Sequence, residues 1–199
     1  SDVMELQAEL WGKNGDGNRP VSASVNEDGT VTVTRSTYNG NKADAKSYTS
    51  KAAMSMEVAG AETTADASAD KGILSFAIAP EQPVYIVTSV GGGGKTYNGQ
   101  DDLQGTDPVQ EAAELLDSIG SDADIEALKA EHHQWWKDFW SASYVDLGTE
   151  DENLSKVQKY YYGAQYLLGS ATKEGEVAPG IYALWHTTDS GWWNSDYHL

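Results

Sequence analysis

The chain has 199 residues and is 39% hydrophobic, which is enough for one domain or two small ones with real cores. Its 31 Asp and Glu against 13 Lys and Arg give a net charge of −18, which excludes most nucleic-acid and anionic-membrane partners and favours a neutral ligand, unless the acidity serves solubility alone. The absence of cysteine excludes disulfides and thiolate zinc sites.

The first 90 residues predict antiparallel β structure. Apolar and polar residues alternate from Met4 to Trp11, and an Asp28-Gly29 turn between two alternating runs predicts a hairpin. Further alternating or apolar runs occupy residues 48–58, 73–78 and 84–87, whereas residues 61–70 read as a long solvated loop. About six strands joined by polar turns indicate a β-sandwich-like domain over residues 1–90.

A glycine run at residues 91–94 separates this region from a helical one. Phosphate binding by such a run requires a helix to begin directly after it, and residues 95–99 show no helical pattern, so we expect a hinge. Three amphipathic helices are predicted to start at Asp107, near Asp122 and at Asp151, where each acidic residue can cap or stabilise a helix N-terminus. We assign residues 91–143 to the hinge and linker helices.

Two motifs raise the question of a metal. Residues 14–18 resemble part of a calcium loop, but Val25 stands at the twelfth position, where such a loop needs Glu. His132 and His133 are neighbours, and on a helix they would point about 100° apart and could not easily share an ion. Since an apolar stripe places His132 inward, we expect a core histidine there, with no metal and no cofactor.

Aromatic residues are concentrated in the second half of the chain. Six of the seven Trp residues lie between Trp135 and Trp193, and residues 186–198 form a segment rich in Trp, His and Asp. Sugar C–H faces pack on aromatic rings while sugar hydroxyls need polar partners, so this segment is compatible with a saccharide site. The same aromatic residues could instead fill a core between helices.

Several motifs together resemble family 95 glycoside hydrolases, of the α-L-fucosidase and α-L-galactosidase type, and their close relatives. These motifs lie at residues 132–140 (HHQWWKDFW), 143–148 (SYVDLG), 160–168 (YYYGAQYLL), 179–185 (PGIYALW) and 191–199 (GWWNSDYHL). The resemblance covers residues 125–199. It implies an amino-terminal β-sandwich, a helical linker and an (α/α)6 catalytic barrel that begins here at residues 144–199.

The resemblance also implies a reaction, which is the inverting acid/base hydrolysis of terminal α-L-fucosyl or related glycosyl residues. In that family an Asn-x-Asn element directly follows the motif that residues 196–199 match. The resemblance therefore leaves the catalytic acid and base unassigned, and the isolated chain is expected to be inactive. The resemblance implies that five residues lie near the sugar pocket: Trp185, Trp192, Asp196, Tyr197 and His198.

The sequence therefore predicts an α+β chain with an N-terminal antiparallel β-sandwich-like region, a helical linker and the first part of an (α/α) barrel. We expect a fragment of a secreted or cell-surface bacterial glycoside hydrolase whose partner is carbohydrate, without nucleic acid or membrane insertion. An apolar surface around Tyr161, Leu168 and Trp185 would be exposed, or covered by missing barrel helices or a homo-oligomer. The alternatives are a noncatalytic carbohydrate-binding module and a structural or interaction domain.

Overall fold

A computed structural model describes residues 3–13, 15, 19–39, 48–92, 107–148 and 150–172. The chain divides into two compact units, Ser1–Asp124 and Ile125–Leu199, which are called the β unit and the helical unit below. The described residues contain β1 (Met4–Trp11), β2 (Val21–Val25), β3 (Val31–Asn39), β4 (Tyr48–Ala59), β5 (Thr63–Ala67), β6 (Lys71–Ile78), β7 (Tyr85–Gly92), α1 (Pro108–Asp117), α2 (Asp122–Ala142) and α3 (Glu152–Ala171). The predicted α+β class is confirmed.

The strands form two antiparallel sheets, one in the order β1-β6-β5 and the other in the order β2-β3-β4-β7. Both sheets contribute to one core, because strands of period two send alternate side chains to the same face. Leu74 and Phe76 come from the first sheet, and Val31, Val33 and Met56 come from the second. The predicted sandwich-like arrangement of antiparallel strands is therefore present.

Helix α1 packs on the outer face of the four-stranded sheet, over β4 and β7. Val31, Thr32 and Val33 are consecutive in β3 and all buried, so both faces of that strand are covered. Thr32 hydrogen-bonds Ser55 across the sheet at 2.8 Å, and the Ser89 hydroxyl donates to the Ala112 carbonyl of α1 at 2.6 Å. These bonds satisfy polar groups that would otherwise be buried at a cost of about 1–3 kcal/mol each.

Two local predictions in the β unit were wrong. Residues expected as a solvated loop include β5, in which Thr63 to Ala67 pair with β6 in the register Thr63↔Phe76 to Ala67↔Gly72. Gly91 and Gly92 continue β7, with Gly91 paired to Ala53 of β4, instead of beginning a hinge. Glycine suits position 91 because it has no side chain and the α1 backbone passes directly over it.

The helix starts agree with their capping residues. Asp107 caps α1 and Pro108 occupies its first turn, while the Asp151 carboxylate accepts hydrogen bonds from the Asn153 and Leu154 amides of α3. Three helices alone do not make an (α/α) barrel, so that part of the prediction stays a proposal.

Replacing Asp107 with alanine should lower the free energy of unfolding of the β unit by about 1 kcal/mol, because the Val109 amide loses its acceptor at 2.8 Å. Urea denaturation at pH 7 measures the loss. Asp107→Asn is the matched control, because it keeps an oxygen acceptor for the Val109 amide while it removes the negative charge and an exposed ion pair with Lys51 that is worth little. Equal losses for the two variants would contradict the capping role.

The same cap should be sensitive to pH. The Val109 amide hydrogen bond, more than any other influence, lowers the pKa of Asp107 below its ordinary value of 3.8. The part of the cap's stabilisation that depends on the ionised carboxylate is therefore fully present above that ordinary value and is lost as pH falls through the lower folded pKa.

Glu57 is expected to behave in the opposite sense. Burial, followed by the charges of Asp117 and Asp28, raises the pKa of Glu57 above its ordinary value of 4.5. Ionisation of Glu57 then opposes folding. The stability that the β unit has while Glu57 is protonated is therefore partly lost as pH rises from 4.5 through the raised folded pKa. Glu57→Gln should stabilise the β unit at pH 7 by less than about 1 kcal/mol, since the site is partly screened by solvent.

Urea denaturation at pH 4 and pH 7 tests the Glu57 prediction, with Glu62→Gln, at an exposed position, as the matched control. The stabilisation by Glu57→Gln should shrink at pH 4, where the native carboxyl is already protonated. A variant that is no more stable at pH 7, or equally stabilised at both pH values, would show that Glu57 carries no such penalty.

Candidate functional site

The five residues singled out by the family resemblance, Trp185, Trp192, Asp196, Tyr197 and His198, lie outside the described residues. Their expected role near a sugar pocket stays a prediction. The described part of the helical unit nevertheless contains a concave aromatic surface, which α2 and α3 build between them.

Helix α2 presents four aromatic rings on one broad face, Trp135, Trp136, Phe139 and Trp140, because residues three and four apart are neighbours on a helix. Trp136 is central to the packing. Its ring stacks on Trp140 at a centroid distance of 5.7 Å and on Tyr166 of α3 at 5.1 Å. Trp135 stacks on Phe139 at 5.4 Å. Aromatic side chains thus hold the two helices together.

Gly169 of α3 allows one of these rings to approach. A Cβ atom placed on Gly169 would lie 3.0 Å from Cζ and 3.1 Å from Cε2 of Phe139, closer than ordinary packing allows. Gly169 is also buried, whereas its neighbour Leu168 is exposed. The Gly169 position therefore sets how closely α3 packs on the aromatic face of α2.

The segment that leaves α2 is tied to α3 by polar contacts. The Tyr162 hydroxyl accepts from the Val145 amide at 3.1 Å and donates to the Val145 carbonyl at 2.8 Å. Gln158 accepts a hydrogen bond from the Leu147 amide at 2.7 Å. Gly148 ends the segment with φ of 78°, a left-handed conformation that glycine adopts readily. These bonds fix the connection between α2 and α3.

A cleft of about 760 Å³ lies beside these rings, within the size range of small-molecule sites, roughly 300–1,000 Å³. Its apolar surface comes from both helices, and polar groups from both helices border it. The lining residues are Leu128, Glu131, His132, Trp135, Trp136, Tyr166, Gly169, Ser170 and Thr172. The cleft, named the aromatic cleft below, combines ring faces with hydroxyl, imidazole and carboxylate groups.

The described lining of the aromatic cleft offers ring faces and hydrogen-bonding groups. Hydrolysis of a glycoside needs two carboxyl groups about 5–10 Å apart across the scissile bond. Among the described lining residues Glu131 is the one carboxylate. Within the described ranges no group of three or more His, Asp or Glu side chains is arranged to hold a metal ion.

His132 differs from its sequence-based interpretation. We expected an inward core histidine, but the side chain is exposed and lines the aromatic cleft, with its ring edge-on to Trp136 at 6.4 Å. The apolar stripe that placed it inward, with Leu128 and Trp135, is itself largely exposed: Leu128 is 52% and Trp135 43% accessible. The described residues cover the two ends of the stripe, Ile125 and Phe139, and leave its middle open.

Sequence reasoning treated the α2 aromatic residues as packing and did not select Glu131, Tyr166, Ser170 or Thr172. One usable signal was the spacing of four that puts Glu131 beside Trp135 and His132 beside Trp136, which pairs a polar group with each ring on one helix face. No signal within α3 marks Ser170 and Thr172, because their place in the cleft depends on the packing of α3 against α2.

The β unit has one exposed tryptophan of its own. Trp11 is 62% accessible, its indole N–H donates to Glu9 at 2.7 Å, and the Lys71 ammonium lies 5.2 Å from its ring centroid. Hydrogen bonds from Lys71 and then Trp11 lower the pKa of Glu9. Trp11 is thus engaged with neighbouring side chains on a flat strand surface, and it provides a natural control for the tryptophans of the aromatic cleft.

No helix among the described residues is long and apolar enough to cross a membrane. Comparison of the chain with known proteins finds no matching family model, no match to a curated protein and no match to a solved structure.

Proposed function

We propose that the chain is part of a glycoside hydrolase that acts on terminal α-L-fucosyl or related glycosyl residues by inverting acid/base hydrolysis. Within it, the aromatic cleft contacts saccharide while the chain by itself does not hydrolyse it. Two features support the proposal: the motif resemblance over residues 125–199 and the composition of the cleft.

The single observation that carries the proposal is the pairing of ring faces with polar groups in one cleft. Trp135 and Tyr166 are 43% and 51% accessible, so their rings can be reached by a ligand. Glu131, His132 and Ser170 border the same space and can exchange hydrogen bonds with hydroxyl groups. A saccharide needs both kinds of surface, whereas a purely apolar ligand would use the rings alone.

The outer surface of α3 favours a larger helical assembly. It exposes large apolar side chains over its whole length, which a stable soluble helix normally buries. These side chains are Leu154, Val157, Tyr160, Leu167 and Leu168. Leu168, around which we expected an exposed apolar surface, is 54% accessible, while Tyr161 is half-buried and Trp185 lies outside the described residues. Further barrel helices would cover such a surface.

Calorimetric titration with L-fucosylated and galactosylated oligosaccharides tests the proposal. We expect the chain to bind at least one of them, and Trp135→Ala to weaken binding about fivefold or more, since an aromatic platform contributes about 1–3 kcal/mol to the stacking of a flat ligand. Trp11→Ala, which removes an even more exposed tryptophan from the β unit, should leave the affinity unchanged. Absence of binding to every sugar, or equal losses in both variants, would refute a saccharide site in the aromatic cleft.

The coding sequence after Leu199 distinguishes a hydrolase from a noncatalytic binding module. The hydrolase predicts an Asn-x-Asn element directly after Leu199 and several hundred further residues with helical periodicity. Sugar binding by the chain combined with a stop codon at that point would favour the binding module instead.

A further inference from the structure

The three-stranded sheet does not extend over the whole inner face of the four-stranded sheet. Across the sandwich β5 lies against β2, β6 against β2 and β3, and β1 against β3 and β4. Val58 of β4 and Ile86 of β7 are register partners that point to the same face, yet Val58 is 9% accessible and Ile86 is 55%. Val90, which lies on the same face of β7 as Ile86, is 60% accessible. The described residues therefore leave the inner face of β7 uncovered.

Strand β1 forms the border of this uncovered area. Among the described strands it pairs only with β6, so its other edge presents backbone N–H and C=O groups without a strand partner. Ala8 and Leu10 point into the core, and by alternation Met4 and Leu6 point to the same side. Met4 and Leu6 are exposed, as Ile86 and Val90 are, so apolar side chains border the gap on both sheets.

Apart from the outward-facing Glu5 and Glu9, the free edge of β1 carries none of the features that usually prevent strand addition. It runs for eight residues with an unbroken register from Met4↔Ile78 to Trp11↔Lys71, without a bulge or a proline. No charged residue lies on its inward face, which consists of Met4, Leu6, Ala8 and Leu10. Natural edge strands commonly use lysine, proline, bulges or inward charges to block pairing.

We propose that the free edge of β1 accepts an extended polypeptide strand, apolar at alternate positions and basic at the others, which then covers Ile86 and Val90 of β7. The outward positions of β1 carry Glu5, Gln7 and Glu9, and opposite charges stabilise cross-strand pairs. Glu9 already accepts hydrogen bonds from Lys71 of β6 and from Trp11, so Glu5 is the carboxylate that favours a basic residue on the added strand. A second copy of the chain fits less well, because antiparallel pairing about Gln7 would place Glu5 of one copy opposite Glu9 of the other. Hydrogen bonds between the main chains of β1 and the added strand supply the affinity, and the alternation of apolar and basic side chains supplies the selectivity.

Synthetic hexapeptides test this binding site. The probe alternates valine with lysine, and its controls alternate valine with glutamate, scramble the probe sequence, or carry a central proline. We expect the lysine peptide to bind at least tenfold tighter than every control, and to slow hydrogen exchange of amides in β1. Leu6→Lys, which puts a charge on the inward face at a partly exposed position, should abolish binding, and Glu5→Lys should shift the preference toward the glutamate peptide.

Three results would overturn the proposal. The first is equal binding of the lysine, scrambled and proline peptides, which would indicate simple attraction to an acidic protein. The second is full protection of all β1 amides in the free monomer, which would place another part of the chain on the edge. The third is a concentration-dependent dimer that Leu6→Lys dissociates, which would make a second copy the occupant. None of these results bears on saccharide binding in the aromatic cleft, so the two proposals fail separately.

Discussion

Replacing Leu74 with alanine is expected to lower the free energy of unfolding of the β unit by about 2–5 kcal/mol. Leu74 is 1% accessible and sits in β6, the central strand of the three-stranded sheet, against the core residues of both sheets. The substitution removes buried hydrocarbon and leaves a cavity that paired strands on either side cannot readily close. Urea denaturation followed by circular dichroism measures the change.

Leu115→Ala is the matched control for Leu74. Leu115 lies on α1 in the same unit but is 49% accessible, so the same truncation removes little buried surface, and alanine favours the helix. We expect a change below about 1 kcal/mol for this control. Similar losses for the two variants would mean that the sheets do not share a core around Leu74.

Gly91→Val is expected to detach α1 from the four-stranded sheet. A Cβ atom on Gly91 would overlap the Pro108 carbonyl oxygen and lie 2.7 Å from the Ala112 amide nitrogen, and both are backbone atoms that cannot rotate away. Overpacking of this kind costs about 1–3 kcal/mol or more. Displacement of α1 would also break the 2.6 Å hydrogen bond from Ser89 to Ala112.

Hydrogen exchange of the α1 amides, together with urea denaturation, tests the Gly91 prediction. The variant should lose protection throughout α1 while the core strands β3 and β6 stay protected. Gly120→Val is the matched glycine control, because a Cβ there meets nothing within 4 Å. A Gly91 variant that keeps its α1 protection would contradict the close packing of the helix on β7.

The sequence predicted most of the strands and all three helix starts because these depend on local signals. Alternation marked β1, and an Asp-Gly turn marked the hairpin of β2 and β3, in which Gly29 adopts φ of 86°. Strand β5 was missed because Thr63 to Ala67 contain no large apolar side chain, and their strand form depends on pairing with β6. Gly91 was read as flexible because only tertiary packing reveals that a helix crosses it.

The candidate site was harder to predict than the fold. The resemblance directed attention to residues 185–198, which lie outside the described residues, while the aromatic cleft combines side chains from α2 with Tyr166, Ser170 and Thr172 of α3. Helical periodicity predicted the amphipathic helix α2 and put His132 on its apolar face. It could not show that this face remains accessible, because accessibility depends on what α3 covers and what it leaves open.

The indole N–H resonances provide the most direct test of the central claim that the aromatic cleft meets a saccharide. A ¹⁵N–¹H spectrum recorded during titration with a fucosylated oligosaccharide reports on each tryptophan side chain separately. We expect the signals of Trp135 and Trp136 to shift with saturation, while that of Trp11 stays unchanged. Signals of Trp135 and Trp136 that do not move at saturating sugar, or shifts confined to Trp11, would contradict the account.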